Sequence, residues 1–87
     1  MQNLRNLIKD LENQAKSEWA IKEDMADMYN QDALDTEIVL HAILADNLDL
    51  AESALSRMDT LPRDNAILAI IEDKGAGWTM EKLGWYM

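Results

Sequence analysis

The 87-residue chain contains no cysteine, no phenylalanine, one proline and one histidine. Without cysteine there are no disulfides, no thiolate metal sites and no thiol nucleophile, and the composition fits a reducing cytoplasm. Glycine and proline are absent from the first 61 residues, and the three glycines (Gly75, Gly77 and Gly84) all fall in the last 13. Helix is the default state of such a chain. One Val and three Thr stand against 12 Leu, 11 Ala and 6 Met, which also favours helix over strand. No uncharged stretch approaches the roughly 18 residues needed to span a bilayer. The segment from Met1 to Lys16 lacks the apolar run of a secretion signal. The length suits one domain, 1–87, and the 48% of hydrophobic residues can fill its core. The expected fold is all-α, a small bundle of four to five helices with a long N-terminal helix.

Apolar periodicity places the helices. Leu4, Leu7, Ile8, Leu11, Ala15, Trp19, Met25 and Tyr29 recur near the 3.6-residue period, predicting one helix from about Asn3 to Tyr29. Glu12 with Lys16 and Glu18 with Lys22 are Glu-before-Lys pairs four apart that support its continuity past Ser17. A turn is expected near Asn30 to Asp32. The second helix, from about Ala33 or Thr36 to Ala45, is apolar on nearly all sides and is therefore central, with Asp32 and Asp35 competing as N-caps. Asp49 and Glu52 resemble a capping box opening a third helix. Pro62 suits the first turn of a fourth, about 62–73, ended by Gly75 as a left-handed cap. Trp78, Thr79 and Leu83 have the spacing of a hydrophobic staple on a short last helix, with Thr79 as N-cap. The apolar residues from Trp78 to Met87 are expected to fold back and supply core volume.

Charge is distributed unevenly. The net charge is -9, from 17 Asp and Glu against 8 Lys and Arg. From Glu23 to Ser56 there are nine acids (Glu23, Asp24, Asp27, Asp32, Asp35, Glu37, Asp46, Asp49 and Glu52) and no Lys or Arg, so this block carries the whole excess. Direct contact with nucleic acid or an anionic membrane is disfavoured, and the expected partner is a basic protein surface. Asp32, Asp35, Glu37, Asp49 and Glu52 lie where carboxylates stabilise helix N-termini. Glu23, Asp24, Asp27 and Asp46 lie near predicted helix C-termini, where the dipole opposes them, and the first three also repel one another at i, i+3 and i, i+4. Carboxylates four apart on a helix are separated by about 6 Å along its axis, comparable with successive phosphates on one nucleic-acid strand.

Chemistry-bearing groups are sparse. His41 and Glu37 stand at i, i+4, but the stripe Leu34, Ile38, His41, Ala45 predicts a packed histidine bonded to Glu37 or a carbonyl. A zinc site needs at least three ligands, and neither a second His nor a Cys exists. Asp27, Asn30 and Asp32, or Asp46, Asn47 and Asp49, lack the Gly and Glu spacing of a calcium loop. No nucleophile elbow, glycine-rich phosphate loop or zinc-protease helix occurs. The expectation is a protein without catalytic residues, metal or cofactor.

In kind only, a small acidic cysteine-free chain of this sort resembles the inhibitors that bacteriophages and mobile elements deploy against nucleic-acid-binding machinery, among them DNA mimics, anti-restriction and anti-CRISPR proteins. The likeness aligns no residues; it is the charge block that supplies the expected partner-binding face, Glu23, Asp24, Asp27 and some of Asp32, Asp35, Asp46 and Asp49, set against a nucleic-acid-binding protein or complex. The competing expectation is a structural or adaptor bundle that associates through apolar surface, as a homodimer on the first helix or with a partner helix.

Overall fold

Leu4, Ile8, Leu11 and Ala15 are buried along one side of α1 (Gln2–Ala15), as their spacing requires. The helix ends there. The structure, a computed structural model describing residues 1–84, breaks the expected long first helix into α1, a single turn α2 (Glu18–Lys22) and the start of α3 (Ala26–Leu44). Continuing the buried stripe 4, 8, 11, 15 by helical steps would bring Glu18 and Lys22 inward. Ser17 prevents this. Its backbone is extended, its Oγ donates to the Gln14 carbonyl (2.7 Å), and it accepts from the Ala20 N–H (3.1 Å), so one hydroxyl closes α1 and caps α2.

The second break is a Schellman turn. The N–H groups of Asp24 and Met25 bond back to the carbonyls of Ile21 (3.3 Å) and Ala20 (2.7 Å), with Asp24 left-handed at φ 59°. The chain therefore reverses at Glu23–Met25, and the turn expected at Asn30–Asp32 is helical. Asp32 and Asp35 are not N-caps but interior positions of α3. The Asp32 carbonyl accepts from the buried Thr36 hydroxyl at 2.7 Å. The same Schellman geometry ends α3, where the N–H groups of Asp46 and Asn47 bond to the carbonyls of Ile43 (3.0 Å) and Ala42 (2.8 Å), with Asp46 at φ 56°.

α4 (Leu48–Arg57) is capped by Asn47, whose Oδ1 accepts from the Leu50 N–H at 3.3 Å. Asp49, expected as the cap, lies in the first turn instead. α5 (Thr60–Lys74) starts two residues before Pro62, which stays within the first turn, where its missing N–H costs nothing. Gly75 joins α5 to α6 (Ala76–Leu83) with φ 93° and ψ 152°, an extended conformation that suits glycine rather than the left-handed cap expected. α6 begins before Thr79. That residue is an interior buried position whose hydroxyl donates to the Gly75 carbonyl (2.9 Å), not an N-cap.

Leu4 and Ile8 of α1, Val39, Leu40 and Ile43 of α3, Leu55 of α4, Ile67 and Ile70 of α5 and Leu83 of α6 join in one core cluster. Each such side chain contributes about 1.5–3 kcal/mol by leaving water. α3 packs on α1 and α4, while α5 and α6 close the core from the side of α1 and α4. Trp78 and Leu83 pack into it as expected of the C-terminal segment, whereas Met80 is exposed. Trp85, Tyr86 and Met87 lie outside the described residues.

One long-range contact fixes where α1 begins. Asp73, in the last turn of α5, accepts from the Asn3 N–H (2.9 Å) and Asn3 Nδ2 (3.1 Å) on one oxygen and from the Leu4 N–H (2.9 Å) on the other. It is an N-cap supplied from 70 residues away. Partial burial works against its charge, but the backbone donors of Asn3 and Leu4, the Met1 amino group and the Asn3 side chain outweigh it, holding the carboxyl below its ordinary value. The folded value lies below the unfolded one, so this stabilisation is complete above the ordinary carboxylate range and is lost as pH falls through the folded value. Asp73→Ala is expected to cost about 1–2 kcal/mol in denaturant unfolding at pH 7, and the deficit should shrink as the pH is lowered below about 4. At the α3 terminus the opposite sign is expected. Asp46→Gly removes both a left-handed non-glycine residue and a negative charge at a helix C-terminus, and should raise stability by about 1 kcal/mol, read as a higher Tm.

Candidate functional site

The break between α2 and α3 redistributes the acids. Glu23 is the C-cap of α2, Asp24 the left-handed residue after it, and Asp27 lies in the first turn of α3. Glu23 and Asp27 therefore do not share a helix, and the expected phosphate-like spacing does not hold for that pair. Asp24 and Asp46 owe their positions in part to turn chemistry, since a short polar side chain tolerates the left-handed conformation. The end of α3 gathers Asp46, Asp49 and Glu52, about 28 Å from Asp27 by helical rise. Glu23, Asp24, Asp27, Glu37, Asp46, Asp49 and Glu52 are exposed, while Asp32 and Asp35 are half-buried. Among the described residues, none of the nine has a Lys or Arg within ion-pair distance, and Glu37 meets only His41, at 3.6 Å.

Between the two acidic ends runs an apolar trough of about 540 Å³, open to solvent, formed by α3 and the start of α4. Its floor is Leu34, Ile38, Ala42, Ala45 and Leu50, with Gln31 and Asn47 towards its ends. Leu34 is 55% exposed, Leu50 42% and Ile38 37%. His41 lies on the rim with a side chain 66% exposed. The packed histidine expected from the stripe is thus corrected: Leu34, Ile38, His41 and Ala45 do share a face, but among the described residues no other helix covers it. The signal was present in the sequence as a helix apolar all round.

Asp32 turns elsewhere. It lines a second cleft of about 500 Å³ with Asp10 and Asp59, beside Leu11, Tyr29 and Leu61. Burial, then the like charges of Asp59 and Asp35, push its carboxyl above the ordinary value. Asp10 and Asp59 are not among the sequence candidates, because it is α1, packed on both α3 and α5, that brings the three acids to one cleft. Five of the seven candidate residues thus lie at the two ends of α3, with Asp35 between them and Asp32 on another flank.

Among the described residues, no group of three His, Asp or Glu side chains is placed to hold a metal ion, and no helix is long and apolar enough to cross a membrane. Comparison of the chain with protein-family models, curated proteins and solved structures gives no match.

The raised carboxyl of Asp32 has a direct consequence for stability. A folded value above the unfolded one means that the native state binds the proton more tightly, so stability is lost as pH rises through that window. Asp32→Asn should therefore raise the Tm at pH 7, and the gain should vanish by about pH 3, where both states are protonated. A gain that persists at low pH would assign the effect to packing instead.

Proposed function

We propose that the protein is a non-catalytic binding module that occupies a basic surface of a partner protein, one that otherwise binds nucleic acid, in the manner of a phage-type inhibitor. The reading rests on one observation: the nine acids of residues 23–56 reach the surface or its edge without a Lys or Arg partner among the described residues. A carboxylate that pairs internally has little to offer a partner, whereas unpaired ones keep their field, steer association and favour a cationic counterpart. The two clusters at the ends of α3 define where that counterpart's charges fall. A reducing cytoplasm is the compartment that fits this role.

The adaptor reading draws support from a separate observation. The apolar face of α1 is spent inside the fold, so apolar association falls to other exposed groups, among them Leu34 and Ile38 on α3, Trp19 and Ile21 on α2 and Leu61 on α5, of which Leu34 and Ile38 line a trough. A contact made there would combine apolar and electrostatic attraction.

Immobilised protein should retain basic nucleic-acid-binding proteins from a lysate at about 50 mM salt and release them well before about 500 mM, because screening shortens the range of the attraction. Added duplex DNA should compete for the same proteins. A variant with Glu23, Asp24, Asp27, Asp46 and Asp49 changed to Gln or Asn should retain at least about tenfold less. Retention unchanged across that salt range, or unaffected by the five substitutions, overturns the reading.

A further inference from the structure

The apolar trough on α3 lies between the acidic clusters, and its dimensions and charge restrict what can fill it. From Gln31 to Ala45 it follows α3 for about 21 Å, the length of a helix of about 14 residues. Its lining residues Leu34, Ile38, His41 and Ala45 are spaced four, three and four apart, the step that one helix offers to another lying along it. The trough is open rather than enclosed, whereas small-molecule sites bury most of their ligand. A secondary-structure element fits this shape better than a small molecule.

Charge selects among such elements. Glu37 lines the trough, Asp35 follows Leu34 on the opposite side of the stripe by helical register, and Asp46 lies between two lining residues, Ala45 and Asn47. Asp27 continues the stripe one turn beyond Gln31. No Lys or Arg occurs anywhere from Glu23 to Ser56. A second copy laid on this face would bring acidic rim against acidic rim, which is costly at an interface. An amphipathic helix whose apolar stripe is flanked by Lys or Arg meets the floor and both rims with complementary groups.

We infer that the α3–α4 trough is the docking site for a cationic amphipathic helix of a partner protein, about four turns long, with its apolar side chains seated between Leu34, Ile38 and Leu50. This deepens the proposed function, since it names the element on the basic partner that is gripped. The distal acids attract the partner, and the trough holds one helix of it.

The test uses a fluorescein-labelled 14-residue helical peptide of Leu and Lys, with Leu at i, i+3, i+4 and i+7. Two controls accompany it, one with Glu in place of every Lys and one with Ser in place of every Leu. Anisotropy titration should show the Leu–Lys peptide binding at least about tenfold more tightly than either control. Leu34→Ser with Ile38→Ser should weaken it about tenfold, with far-UV circular dichroism retained and Tm lowered by only a few degrees, since Leu34 is 55% and Ile38 37% exposed. Amide shift changes in the unmodified protein should centre on residues 31–50. The inference is overturned if the Ser control binds as well as the Leu–Lys peptide, if the shifts map to the Asp10–Asp32–Asp59 cleft, or if the Glu control binds equally. It is also overturned if sedimentation shows a dimer that the Leu34 and Ile38 changes dissociate, which would make a second copy the occupant. Its failure is distinguishable from failure of the broader reading. Salt-sensitive capture that survives Leu34→Ser with Ile38→Ser leaves the acidic surface as the binding element without the trough.

Discussion

α3 carries apolar side chains around its circumference, and its packing on α1 and α4 covers only part of them. Val39, Leu40 and Ile43 enter the shared core, and Thr36 joins them by returning its hydroxyl to the Asp32 carbonyl. α5 and α6 complete that core through Ile67, Ile70 and Leu83 without reaching round to the opposite face of α3. Leu34 and Ile38 are left in water there, with Leu50 of α4 beside them. These are the side chains that the inferred docking helix would cover.

The same region departs repeatedly from what local stability favours. Asp24 and Asp46 take left-handed conformations that glycine would adopt more readily, and both follow helix C-termini where negative charge is disfavoured. Asp32 lines a partly buried cleft with Asp59 and feels the like charges of Asp59 and Asp35. Elsewhere carboxylates work for the fold, most clearly at Asp73, which ties α5 to the start of α1 by accepting three hydrogen bonds from Asn3 and Leu4. The local costs fall at both ends of α3 and on its flank, where Asp24, Asp46 and Asp32 are set by turn geometry and packing.

Much of the helical content was legible, and the errors have identifiable causes. The Asn3–Tyr29 helix was read as continuous because Trp19, Met25 and Tyr29 keep roughly to period. Yet Trp19 is 55% exposed and meets Tyr29 only ring to ring across the break, at 6.5 Å between centroids. Ser17 carried a usable stop signal, since an interior serine competes for backbone partners, and the two Glu–Lys pairs on either side of it obscured that signal. Asp24 was weighed as a charge and not as a turn residue. The Asp49–Glu52 spacing points to Asp49 as the cap of α4, whereas the turn that closes α3 positions Asn47 first.

By itself the sequence determined that this chain is helical and that its surplus negative charge resides in one 34-residue block, since propensity, the scarcity of breakers and residue charge are local properties that need no neighbours. The tertiary structure alone decided which face of α3 stays uncovered, that Asp10 and Asp59 meet Asp32, and that Asp73 caps a helix 70 positions away. Those outcomes depend on how separate helices pack. Periodicity along the chain establishes that a side is apolar, and only the arrangement of the other helices establishes whether anything lies against it.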